Sequence, residues 1–187
     1  AKKRIAFFGD SITQGVGTPI NSYEHWNAVF ANLLGNEYAY WNLGLGYGRA
    51  DDAASNGMWL YKAKQNDIVF VCFGVNDIHH GYSADAIKKN LQITVDKLHH
   101  SGARVIVQTV PPYDYSESNR ITWEKVNDFI KHELKNAEFV FDCVKYLGKS
   151  DSEPHMAKYG GHPDSNGCKI WGEALFEAVA KVIIRGE

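Results

Sequence analysis

The run Asp67-Ile68-Val69-Phe70-Val71-Cys72-Phe73 is apolar at every position after its aspartate. A strand that covers one face of a sheet alternates polar and apolar residues; this one has no polar face to offer water. It must be buried on both sides, which requires helices above and below its sheet. Residues 4–8, 37–43, 103–110 and 138–141 read as further strands, rich in β-branched or aromatic side chains. Between them lie segments with helical spacing, over residues 25–34, 51–64, 83–100, 121–134 and 166–184. In the third of these, Ile87, Leu91, Val95 and Leu98 form one apolar stripe, Ser83 is placed to cap its start and Gly102 to close it. Strand and helix alternate five times, the pattern of a parallel sheet in an α/β/α sandwich.

The chain has 187 residues, with no linker, internal repeat or low-complexity tract, so residues 1–187 read as one domain. A formal net charge of −2 disfavours a nucleic-acid surface or an anionic membrane as partner. No apolar run approaches the roughly 20 residues of a membrane span. The basic start, Ala1-Lys2-Lys3-Arg4, is followed by too short an apolar stretch for a signal-peptide core. A leader removed in processing stays open. The three cysteines, Cys72, Cys143 and Cys168, show no CxxC spacing. Their odd number argues for a reducing compartment, and the expected location is the cytoplasm. Oligomeric state is not fixed by the sequence, and a homo-oligomer is allowed.

In open α/β sheets, sites form beyond the C-terminal ends of the strands. Three strand ends here carry unusual punctuation: Gly9-Asp10-Ser11, the cluster Gly44, Gly46 and Gly48, and Gly74-Val75-Asn76-Asp77. A serine hydroxyl is a poor nucleophile without a base in hydrogen-bond reach. Acyl transfer also needs donors aimed at the developing oxyanion. Ser11 could serve as nucleophile and offer its own N–H. Glycines after the second strand let a backbone N–H approach closely, and Asn76 could offer a side-chain N–H. Of eight histidines, His162 stands apart, in the loop Gly160-Gly161-His162-Pro163-Asp164 before the last helix. It is the expected base.

His79-His80 and His99-His100 lack a second ligand cluster at metal spacing, so no metal is expected. The glycine segments match neither a phosphate loop nor a dinucleotide fingerprint, and no cofactor is expected. His79 and Tyr113 are candidates for a substrate wall.

Together these segments resemble the SGNH hydrolases, the GDSL-type esterases and lipases. Gly9-Asp10-Ser11-Ile12-Thr13 is similar to the first family block, with Ile12 in place of the usual leucine. The stretch from Asn42 to Arg49 is similar to the second, Gly74-Val75-Asn76-Asp77 to the third, and His162-Pro163 to the last. The resemblance implies a flavodoxin-like five-stranded parallel sheet of order 2-1-3-4-5. It implies a serine ester hydrolase with Ser11 as nucleophile and His162 as general base. Ser11, Asn76 and a glycine of the second block, Gly48 ahead of Gly46, would form the oxyanion hole.

Two departures from the family pattern stand out. Counting five residues from Asn42 lands on Tyr47 rather than a glycine. The family's orienting acid, three residues before the histidine, is replaced by Tyr159. A backbone carbonyl could hold His162, Asp151 or Glu153 could fold back to it, or the chain could be slow or silent. A short chain without a large lid suits short acyl groups, acetyl esters of sugars first. Longer acyl esters, thioesters or lysophospholipids are the alternative within the enzyme class, and a silent binding module is the alternative outside it.

Overall fold

The computed structural model describes residues 1–19, 22–147 and 161–185. Five strands form one parallel sheet of order β2-β1-β3-β4-β5: β1 (Lys3–Gly9), β2 (Tyr38–Gly44), β3 (Ile68–Cys72), β4 (Arg104–Gln108) and β5 (Phe139–Phe141). This is the sheet order expected from the resemblance. The strand with no polar face, β3, is buried along its whole length. It lies inside the sheet between β1 and β4, and helices cover both faces.

The register sets up the site. Gly9 pairs with Gly44 on one side and Cys72 on the other. The ends of β1, β2 and β3 therefore lie abreast, and the residues that follow them emerge at one edge of the sheet. After β1 the chain turns at once into α1 (Ser11–Gln14), which folds back over the sheet end. A Cβ on Gly44 would sit 2.1 Å from the Gln14 backbone nitrogen, so only glycine allows this approach.

The helices are α2 (Trp26–Leu34), α3 (Ala50–Ala54), α4 (Met58–Ala63), α5 (Val75–His79), α6 (Ala84–His100), α7 (Glu117–His132), α8 (Val144–Leu147) and α9 (Ser165–Ile184). The helix expected over residues 51–64 is two helices, α3 and α4. At the break, Lys97 Nζ donates to the Ala54 carbonyl at 2.6 Å and to Asn56 Oδ1 at 2.9 Å. A cation from α6 thus takes over a carbonyl that a continuous helix would satisfy itself. Helix α7 starts four residues before the expected 121, because Ser116 caps it through the Asn119 N–H and its first turn is polar. The short α5 and α8 have too few residues to show a period.

Helix α9 carries the last loop's anchor and is tied down at several points. The Trp26 and Trp171 rings stack at 4.9 Å, joining α2 to α9. Trp171 Nε1 donates to Gln108 Oε1 on β4 at 2.7 Å. Arg104 forks onto Glu138 at 2.8 and 2.6 Å and also reaches the Val182 and Ile183 carbonyls. The three cysteines are buried and unpaired, as small core residues.

Candidate active site

Asp10 caps α1: its Oδ1 accepts the Ile12 N–H at 2.9 Å. That cap turns the chain so that Ser11 is the first helical residue. Among the described residues its N–H has no acceptor, as the geometry of a helix start dictates. The Ser11 side chain is half-buried and meets a ring from the far end of the sequence. Ser11 Oγ lies 2.9 Å from His162 Nε2, across 151 positions.

The position of His162 follows from the loop before α9. Gly161 adopts φ +88, a left-handed conformation that favours glycine. A Cβ there would also lie 2.9 Å from the Tyr113 ring. Next, Asp164 caps α9 by accepting the Gly167 N–H at 2.9 Å. Between these fixed points the imidazole packs against Tyr113, with ring centroids 5.5 Å apart and planes 82° apart. His79 packs on Tyr113 in the same edge-on way, again at 5.5 Å. The two candidate wall residues therefore form a row with His162. Asp151, Glu153 and Tyr159, the residues bearing on how His162 is held, lie outside the described residues.

The third strand end contributes Asn76. Gly74 turns the chain with φ +135, and Asn76 falls in the first turn of α5. Its Nδ2 donates to the Gly48 carbonyl at 2.9 Å. An amide nitrogen has two hydrogens, so this bond fixes the side chain and leaves the second for another acceptor. The Gly48 N–H closes a turn onto the Leu45 carbonyl at 3.0 Å, with Tyr47 at φ +63. Gly48 thus reaches Asn76 through its carbonyl, while the Gly46 N–H has no acceptor among the described residues. The sequence could place these glycines near the site but could not say which backbone group each one offers.

Asp77, beside Asn76, is fully buried and accepts the Ala50 N–H with both oxygens at 3.1 Å. It holds α3, and with it the turn that follows β2. Burial pushes its carboxyl up to about 6, against the pull of the Ala50 N–H. Asp10 is pushed up further, to about 7, by burial first and by the charge of Asp77 after the opposing Ile12 hydrogen bond. This pair of raised carboxyls was not legible in the sequence, because burial depends on the packed neighbours.

The raised carboxyls predict a pH dependence of stability. Between about pH 4 and 7 native Asp10 holds a proton that the unfolded chain has released. Stability from this group is therefore greatest at the acid side of that window and falls as pH rises through it. The ionised form is disfavoured by on the order of 4 kcal/mol. Asp10→Asn keeps an acceptor for Ile12 and removes the charge. It is expected to unfold at higher denaturant than the wild type at pH 8, with little difference at pH 4 (chemical denaturation across that range is the check). Equal pH slopes in both proteins would overturn the assignment.

Comparison with known proteins shows the family. Residues 7–170 match the GDSL-like Lipase/Acylhydrolase family. A curated relative, an uncharacterized protein of Mycoplasma pneumoniae, is 25% identical over 168 residues, covering 83% of this chain and 19% of the relative. The chain thus spans about a fifth of that relative's length. Among solved structures, a member of the lipolytic protein G-D-S-L family from Veillonella parvula superposes with a TM-score of 0.77 at 20% identity, covering 94% of this chain and 97% of that one. A carbohydrate acetylesterase from Sinorhizobium meliloti superposes at 0.70 with 18% identity, covering 97% of this chain and all of the other. At these identities the structural likeness is one of fold. The family match extends from β1 into α9 and takes in both Ser11 and His162, so the chain belongs to the GDSL-like Lipase/Acylhydrolase family.

Proposed function

We propose that the chain is a serine esterase for short acyl groups, with acetyl esters of carbohydrates as its substrate class. The contact between Ser11 Oγ and His162 Nε2 at 2.9 Å carries the reading. His162 takes the serine proton as Oγ attacks the ester carbonyl, then returns it to the leaving alcohol. An acyl-enzyme remains, and water activated by His162 releases the acid. The tetrahedral oxyanion is met by the Ser11 N–H, the second hydrogen of the Asn76 amide and a third N–H from the turn holding Gly46 and Gly48. Support for the turn donor differs between them: the Gly46 N–H has no acceptor among the described residues, whereas the Gly48 N–H serves only if the turn opens. Sugar esters are favoured by the wall of Tyr113 and His79, whose flat faces suit a pyranose ring.

Aryl esters of increasing acyl length test the substrate class. Expected is a maximum of kcat/KM at acetyl and a steep fall by octanoyl. A maximum at octanoyl or beyond would overturn the short-acyl reading. Labelling by a fluorophosphonate that disappears in Ser11→Ala tests the chemistry itself. Folded wild type that takes no label would overturn it.

A further inference from the structure

A groove of about 720 Å³ runs between α2 and the edge strand β2, away from the Ser11–His162 pair. Its lining is unusual in one respect. Among the described residues, the twelve that line it include no Asp, Glu, Lys or Arg, in a chain where such residues make up 22%. Four are asparagines, Asn27, Asn32, Asn36 and Asn42, and three are tyrosines, Tyr23, Tyr38 and Tyr40. His25, also in the lining, has its basicity lowered by burial and adds no charge near neutral pH.

The lining narrows the ligand class. An anion such as a phosphate ester would be best held by a cationic partner, and the described lining residues offer none. An acyl chain would lose its fit to the amides, which it cannot pair. Carboxamides supply both a donor and an acceptor, and phenol rings supply flat apolar faces. The exposed side-chain amides of Asn32 and Asn36 make no hydrogen bond among the described residues, so they can pair with hydroxyls. We propose that this groove binds a neutral oligosaccharide, through the amides of Asn32 and Asn36 and the rings of Tyr23 and Tyr40.

Two lining residues also hold the helix that carries Ser11. Asn27 Nδ2 donates to the Thr13 carbonyl at 2.8 Å, and Asn42 Nδ2 to the Gln14 carbonyl at 3.3 Å. Both carbonyls belong to α1, which begins with Ser11. Asn27 and Asn42 thus link the groove to α1. The groove's use as a hold for a polymeric substrate rests on the esterase reading; its binding of sugar does not.

Titration of ¹⁵N-labelled Ser11→Ala protein with xylotetraose, cellotetraose and chitotetraose, and with the anionic control tetragalacturonate, tests the proposal. Expected are shifts of the Asn32 and Asn36 side-chain amides with at least one neutral tetrasaccharide and weaker binding of the control. Tyr23→Ala, at a position 88% exposed and so without cost to folding, is expected to weaken binding about tenfold. Absence of shifts at about 10 mM sugar, ample for a millimolar site, would overturn it. So would shifts confined to the neighbourhood of Asn76 and His162, or affinity unchanged by Tyr23→Ala. Aryl acetate turnover by the wild type separates the two readings: turnover without groove binding sinks only the groove, and groove binding without turnover sinks only the esterase.

Discussion

Ser11→Ala is expected to lower kcat for an aryl acetate by about 10⁴- to 10⁶-fold while leaving the fold intact. The size follows from the contact at 2.9 Å, which makes the hydroxyl and the imidazole one unit. On the proposed mechanism, loss of Oγ removes the acyl-enzyme and leaves His162 only to assist direct attack by water. The His162→Ala protein should fall as far, because the hydroxyl without its base is almost never ionised near neutral pH. The double variant should be no worse than either single one, since the two groups act in one step. Folding should not suffer, because α1 is set by the Asp10 cap and the Gly15 end rather than by the Ser11 side chain. Thermal melts and steady-state kinetics on all three proteins are the measurement. A Ser11→Ala enzyme retaining more than about a hundredth of the wild-type kcat would place the chemistry elsewhere. Additive losses in the double variant would mean that the two residues act separately.

The sheet was legible because its information is local. The uniformly apolar residues 68–73 required cover on both faces, and the order of strands and helices then left few arrangements. The glycine ends of β1, β2 and β3 were legible for the same reason, since a short-range steric demand writes itself as glycine. What was not legible depended on partners far away in sequence. The break between α3 and α4 needs Lys97, which lies more than 40 positions beyond it. Tyr113 could be placed near the active edge, but not in a row between His79 and His162. The groove beside β2 was invisible, because its asparagines and tyrosines come from α2, β2 and the segments flanking α2 and look like ordinary surface residues until these are set side by side. Gly48 shows the limit most sharply. Its identity was readable, yet the turn decides whether its N–H or its carbonyl faces Asn76.

Asn76→Ala is expected to lower kcat by about 10²- to 10³-fold, with KM changed far less. An oxyanion donor acts on charge that exists only in the transition state, so its loss falls on kcat rather than on ground-state binding. The rival account is structural, because Asn76 Nδ2 also holds the Gly48 carbonyl. Asn76→Asp separates the two: an ionised carboxylate of nearly the same shape can donate to neither the carbonyl nor an oxyanion. If Asn76 served only to hold the turn, both variants should lower the melting temperature and raise KM together with the loss of rate. If it is an oxyanion donor, the alanine variant should keep KM and lose affinity for a tetrahedral phosphonate or boronate inhibitor in proportion to its lost kcat. The aspartate variant should be the slower of the two, since its charge repels the oxyanion that the amide would have met. An alanine variant with wild-type kcat, or one whose inhibitor affinity is untouched, would remove Asn76 from the mechanism and leave the oxyanion to the backbone of Ser11 and the turn.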